Sequence, residues 1–537
     1  MPANRRHSQK RSGGSRIDHI IIAEIIILAL ILGTALFFII RDRKGASPAP
    51  AQSTEAPSET PAASDAPSES GTEPAETVSE TQTEEQPSYT PSNVNDGQPV
   101  QNVDPRTPAN FEVAPAFERT LMPTGDDLLD EANRQAAMYD YDAAIALLQA
   151  SPNASSEAYQ NAIKEYETKK SQLVRWSDMA SITHIFFHTL VVDVDTAFTC
   201  DKRRDYNDVM TTVDEFCKIM QLMYDEGYVI VSLYDVAKMV PQPDGTEIMT
   251  FQDIMLPPGK KPFILSQDDV SYYEYMTGQG FASRFVIDEE TGKVINEMDL
   301  ADGTVLRGSY DMVPILEDFL EAHPDFCYRG ARGTLALTGY DGIFGYRTSD
   351  FWYVDGCPYY ISNERNDYEK AHSHTSPNLN IEQDKVTASQ IAQRLKEMGW
   401  TFASHGWGHV GLGTTSEEHL VWDIDMWKKE VEPLLGDVDI MIYPKGEDIH
   451  NWHEYPADNY RYQVLKERGF DYYCNVDSNI YWIQRTNNYY RMGRRNFDGR
   501  RFWMAYLHPD SDYPKLISDI IPDINAVIDL RRCPWEE

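Results

Sequence analysis

Two short stretches of this 537-residue chain hold the residue types from which a hydrolytic metal site is built. Ser266-Gln267-Asp268-Asp269 closes the apolar run Phe263, Ile264, Leu265, and Ser404-His405-Gly406-Trp407-Gly408-His409 closes the run Trp400 to Ala403. Two imidazoles and one carboxylate are the donors a catalytic zinc uses, with a further coordination position left for water. Inside a strand, adjacent carboxylates point to opposite faces. At a strand end they diverge, so that one of Asp268 and Asp269 binds metal while the other takes a proton from water. Gly406 and Gly408 disfavour a regular helix across the histidine pair, which reads instead as a strand-to-helix loop.

Both stretches sit where open α/β sheets and α/β barrels place their chemistry, at the ends of hydrophobic strands. From residue 182 the pattern alternates between strands and helices. Strands are expected at 182–192, 228–233, 261–267, 334–337, 400–404, 438–443, 471–476 and 502–507, and helices at 206–226, 311–322, 385–398, 416–434, 460–468 and 513–530. Such alternation predicts a parallel sheet or barrel. The exception is 284–310, where Thr291-Gly292-Lys293 and Asp302-Gly303 read as hairpin turns of an inserted β-ribbon.

Upstream, composition divides the chain. A basic tail (1–19) precedes a run, 20–40, that is apolar apart from Glu24 and Thr34 and long enough to span a bilayer as a single anchor. Lys and Arg are richer before it than after it, which predicts a cytoplasmic N-terminus and an extracytoplasmic remainder. Residues 41–118 are rich in Ser, Thr, Pro and Glu and read as a disordered linker. Residues 119–176 show helical periodicity, and 137–145 resembles a tetratricopeptide helix pair, so a small helical module that could recruit a protein partner is expected before the domain at 177–537. Acids outnumber bases 85 to 48, which argues against nucleic acid as a partner. The six cysteines are scattered with no C-x-x-C spacing and read as buried thiols.

Residues 180–510 resemble the polysaccharide deacetylases of carbohydrate esterase family 4, which carry five ordered motifs. Ser266-Gln267-Asp268-Asp269 is similar to the first, Thr-Phe-Asp-Asp, which implies Asp268 as catalytic base and Asp269 as metal ligand. His405-Gly406-Trp407-Gly408-His409 is similar to the second, which implies His405 and His409 as the other ligands of a zinc or another divalent metal. The third, Arg-x-Pro-Tyr-Gly, is half kept as Ile442-Tyr443-Pro444-Lys445-Gly446. Here Lys445 could help hold an oxyanion, while the arginine that steadies the base is replaced by Ile442; Lys445, Arg494 and Arg495 are candidates to substitute for it. The fourth is loosely matched at Asp477, and the fifth, Leu-x-His, at Tyr506-Leu507-His508, which implies His508 as general acid. The resemblance implies a distorted (β/α) barrel and a membrane-tethered N-deacetylase acting on a cell-envelope polysaccharide.

Around these residues, Trp407, Tyr443, Tyr272, Tyr273 and Trp482 are candidates to stack on sugar rings, although most aromatics in such a chain are core. His184 and His188 share one strand face by period two and are candidates for the site mouth, with a hydrogen-bonded structural role the commoner case. His372 and His374 read as solvated. Two other readings stand beside the deacetylase. One is a glycan-binding or sensing protein that keeps the fold without turnover, for which the missing arginine is the evidence. The other is a glycosidase using Asp268 with a second carboxylate, which leaves the histidine pair idle.

Overall fold

The computed structural model describes residues 99–353, 379–477 and 479–534. The expected basic tail, the apolar run 20–40 and most of the linker lie outside them, as do His372, His374 and Ser478. Among the described residues no helix is long and apolar enough to cross a membrane.

The strands that build the barrel and the ribbon are β1 Thr183–Phe187, β2 Tyr228–Ile230, β3 Lys261–Gln267, the ribbon strands β4 Arg284–Ile287, β5 Val294–Asp299 and β6 Val305–Gly308, then β7 Thr334–Leu337, β8 Thr401–Ser404, β9 Ile440–Ile442, β10 Tyr472–Val476 and β11 Tyr490–Asn496. Parallel pairing runs β7-β8-β9-β10-β11-β1-β3, and β3 returns to β7 through Thr334 opposite Ser266, which closes a seven-stranded ring. β2 pairs with the start of β3, Val229 opposite Pro262, and bridges Cys327 through Ile230, so it sits beside the ring. Of the parallel sheet or barrel that the alternation allowed, the chain forms the barrel.

Period two decides what each strand puts inside. Ile264, Ala336, Ala403, Ile440, Ile442, Tyr472, Cys474, Tyr490 and Met492 form one buried cluster that fills the barrel. Their neighbours Phe263, Leu265, Ile185, Phe187, Leu335, Leu337 and Phe402 face outward and pack in another, with helices 213–225, 312–322 and 381–397. Two steps on from Ile264, Ala403 and Met492 come Ser266, His405 and Arg494, so this alternation turns reactive side chains over the C-terminal end of the interior.

The inserted ribbon forms as expected, with Ile287 opposite Val294 and Asp299 opposite Val305. Three helices precede the barrel, Asp127–Ala137, Tyr141–Gln149 and Glu157–Ser171, with Asp126, Asp140 and Ser156 capping them by accepting backbone N–H groups. They share a core of Ala132, Ala144, Leu148, Ile163 and Tyr166. Arg329 N–H donates to Met138 O at 2.8 Å and the Tyr139 hydroxyl to Asp325 O at 2.7 Å, which docks them on the barrel.

Four expectations are corrected. Residues 99–118 are not free linker: Val100, Ala114 and Phe117 are buried, Glu112 N–H donates to Val192 O at 2.8 Å, and Phe117 meets Phe319 edge-on at 5.0 Å. Residues 502–507 are not a strand but part of a helix, Gly499–Leu507, started by Asp498, which accepts from Arg501 N–H at 2.9 Å. The strand is β11 instead. Residues 513–530 form short 3₁₀ turns at 514–516 and 524–526 and not one helix, because Pro522 lacks the N–H that a helix interior needs. Finally, 206–226 is two helices, Arg203–Val209 and Val213–Asp225, the second opened by a Thr212–Glu215 capping box. Glu215 is fully buried there and accepts from Asp529 N–H at 2.9 Å and Arg532 Nε at 2.7 Å, latching the C-terminal segment to this helix.

Candidate metal centre

At the end of β3, Asp268 N–H still donates to Phe187 O at 2.9 Å, and the next residue leaves the strand with a left-handed φ of 57°. That single turn separates the two adjacent carboxylates. Asp268 faces β11, where Arg494 holds it through Nη1–Oδ1 at 2.7 Å and Nη2–Oδ2 at 2.9 Å. Asp269 faces the histidines, with Oδ2 3.9 Å from His409 Nε2 and 4.0 Å from His188 Nε2.

His405 follows β8 and is buried. Its Nδ1–H donates to Ile442 O at 2.8 Å, which leaves Nε2 as the lone-pair nitrogen. Ile442, where the third motif would carry an arginine, therefore still serves through its backbone carbonyl. The loop from His405 to His409 is clamped from both sides. Asp423, on the helix Glu417–Glu430, accepts from Trp407 N–H at 2.8 Å and Gly408 N–H at 2.7 Å. Gly339 and Tyr340 N–H donate to Trp407 O at 2.9 and 3.0 Å. Gly406 and His409 both take positive φ, 66° and 52°, so the loop turns twice within four residues and brings the two rings to 4.9 Å. One ligand atom each from Asp269, His405 and His409 lie within 4.8 Å of one another.

The electrostatics suit a cation. Burial pulls His409 down to about 4, against the pull of Asp269, so its imidazole is neutral and able to ligate at neutral pH. Burial pushes Asp269 up, but His409, His405, His188 and the Tyr273 hydroxyl outweigh it and hold the carboxyl below its ordinary value. At Asp268 burial is again opposed, here by Arg494 and then His405, and the group stays ionised well below the usual carboxylate range. Two imidazoles, a carboxylate, and a hydrogen-bonded outer partner for both His405 and Asp269 fit a divalent metal of zinc's kind.

The centre opens into a cavity of about 380 Å³ whose polar wall includes His188, Lys445, Asn496 and Asp498 and whose apolar wall includes Phe186, Met210, Tyr275 and Met276. Asp268, Asp269, His405, His409 and Lys445 thus meet as the motifs implied. Lys445 takes a φ of 59° in the turn Pro444–Gly446.

Other expected residues go elsewhere. His508 caps the helix 499–507, half-buried against Tyr513 at 6.0 Å, and is not part of the cavity lining. Trp407 and Tyr443 are fully buried and hydrogen-bonded within the core, Trp407 Nε1 to Glu430 at 2.8 Å and the Tyr443 hydroxyl with Tyr455 at 2.9 Å, so neither presents a face to a sugar. Asp477 lies behind β11, its N–H on Arg494 O at 2.9 Å and its carboxylate accepting from Asn479. Buried His184 bonds Ser266 Oγ at 2.9 Å below the site. Of the proposed substitutes for the missing arginine, Arg494 is the one on Asp268; Arg495 pairs with Asp519 at 2.8 Å.

Three contributors carried little sequence signal. His188 stood only as a period-two neighbour of His184, and its Nδ1–H is fixed on Val209 O at 3.1 Å. Asp423 had none beyond its residue type, and Tyr273 stood only as a candidate to stack on a sugar ring; it is buried, with its hydroxyl on Asp269 Oδ1 at 2.7 Å. No protein-family model matches the chain, and no match was found among curated proteins. Among solved structures the chain is similar to the Streptococcus pyogenes deacetylase PplD in complex with acetate, at 14% identity over 61% of this chain and 95% of that one, with a TM-score of 0.31.

Proposed function

We propose that the protein is a metal-dependent amide hydrolase that removes N-acetyl groups from the amino sugars of a cell-envelope polysaccharide. The observation that carries this reading is the pairing of a three-donor cluster, Asp269, His405 and His409, with a second buried carboxylate, Asp268, held by Arg494. The order of the first two deacetylase-like motifs supports the substrate class, and the apolar run 20–40 followed by a polar linker supports placement on the outer face of a membrane. The helical module is a candidate site for a protein partner.

A divalent metal held by Asp269, His405 and His409 would supply Lewis-acid polarisation of the acyl carbonyl and a water of lowered pKa. The protein's own groups do the rest. Asp268 takes the proton of the attacking water, and Arg494 keeps that carboxylate charged and aimed. The turn at Lys445 lies on the cavity wall, where its N–H could help hold the carbonyl oxygen as charge develops. The C–N bond then breaks as the proton that Asp268 took from water passes through His188 Nε2, whose Nδ1–H is held by Val209 O, to the departing amine, leaving acetate and a free amino sugar.

Arg494 bears on the non-catalytic reading, since the guanidinium that Ile442 lacks is supplied from another strand. The test is elemental analysis of the full-length protein together with acetate release from N-acetylglucosamine oligomers, for wild type, Asp268→Ala and His405→Ala. Expected are about one metal per chain, a loss of turnover on the order of 10²- to 10⁴-fold in Asp268→Ala with metal retained, and loss of metal in His405→Ala. Bound metal with no release from oligomers or peptidoglycan would leave the glycan-binding reading standing. A wild type that binds no metal would sink the site.

A further inference from the structure

The turn after Asp269 is strained in a way that the placement of Asp268 and Asp269 alone does not require. Tyr272, like Asp269, has a left-handed backbone, φ 48°, and neither is glycine. The Tyr272 hydroxyl is pinned to Asp311 at 2.6 Å. The result is that Tyr273 folds back over the residue four positions before it, its hydroxyl 2.7 Å from Asp269 Oδ1. Its ring is stacked between Tyr275, at 5.6 Å and 9°, and Tyr340, at 5.1 Å and 14°, so it cannot swing away.

The hydrogens can be assigned along this contact. Ionised Asp269 only accepts, so the Tyr273 O–H is spent on it. Tyr273 also lies 2.9 Å from Thr338 Oγ1 and must therefore accept there; Thr338, having given its hydrogen to Tyr273, must accept from Ser271 Oγ, also at 2.9 Å. Ser271, Thr338 and Tyr273, all buried, thus form three hydroxyls donating head to tail toward one oxygen of Asp269. Each donor polarises the next, and the chain occupies Oδ1 while Oδ2 is left facing His409 and His188.

We propose that Tyr273, fed by Thr338 and Ser271, is a positioning residue that fixes Asp269 to offer Oδ2 alone and thereby sets the affinity of the centre for its metal. This rests on the metal-site reading above. A merely structural role, satisfying a buried carboxylate, would show as lost stability with metal affinity unchanged.

The experiment measures zinc affinity of the full-length protein by competition with a chromogenic chelator, alongside the melting temperature of the metal-free form. Tyr273→Phe keeps the ring stack and is expected to weaken zinc binding roughly 10- to 100-fold. It should also change the visible spectrum of the cobalt-loaded protein, because Oδ1 is freed. Thr338→Val is expected to weaken binding in the same direction, and Thr338→Ser, which keeps the hydroxyl, to restore it. Turnover of Tyr273→Phe should recover with excess metal. Wild-type affinity and an unaltered cobalt spectrum in Tyr273→Phe would overturn the proposal while leaving the metal site intact, whereas a wild type that binds no zinc would overturn both.

Discussion

Asp423 is a buried carboxylate with no cation among its hydrogen-bond partners. It accepts from Trp407 and Gly408 N–H, yet burial still pushes it up to about 7. Its unfolded value is near that of an ordinary aspartate, roughly 3.9. Between these two values the folded protein holds a proton that the unfolded chain has released, so this group makes stability fall as pH rises from about 4 to about 7. Asp423→Asn should flatten that part of the metal-free stability profile and lower stability at its acid end by about 1–3 kcal/mol, because the amide cannot accept from both N–H groups; thermal melts across pH check it. At this scale the sequence was legible where a functional residue ends its own apolar run, as Asp268, Asp269, His405 and His409 do. It was less specific where the partner lies far off, and Arg494 stood only as one of three candidates to steady Asp268. Arg494 and Asp268 are 226 positions apart, and no local pattern records that pairing.

Gly339 shows the same dependence between elements. It follows the end of β7 with its N–H on Trp407 O, and a Cβ there would lie 2.2 Å from Trp407 Cδ1. Trp407 cannot yield, being fully buried and bonded to Glu430. Gly339→Ala should therefore displace the loop that carries His405 and His409 and weaken zinc binding by an order of magnitude or more, about what loss of an outer partner costs; chelator competition on the folded variant reads this directly. Strands at 261–267, 334–337 and 400–404 were readable because continuous apolar runs mark strands buried on both faces. β11 was missed because Arg491, Arg494 and Arg495 make it look exposed, although all three are buried on distant carboxylates. The run 502–507 was misread as a strand for the opposite reason, being apolar enough for one. Its missing β-branched residues and the Asp498 cap were the available signs of a helix.

Over the whole molecule, the barrel is finished by a segment that composition assigned to the linker and by the C-terminal end of the domain itself. Residues 99–118 cover the helix 312–322 through Phe117, and the C-terminal segment supplies Arg532 to Glu215, both fully buried. Arg532→Ala leaves that carboxylate uncompensated and should cost about 3–5 kcal/mol, seen as a lower urea midpoint with an unchanged slope. The ends of the chain also set the order of events during synthesis. Glu215 and Arg532 are separated by 317 positions, and the seam between β1 and β11 joins Ile185 to Arg495. At ~5–20 residues per second, a ribosome makes Arg532 roughly 15 to 60 seconds after Glu215. Until Asn496 is made β1 has an unpaired edge, and until Arg532 is made Glu215 lacks its cation, so the last seam of the ring and its buried ion pair are both completed late in synthesis.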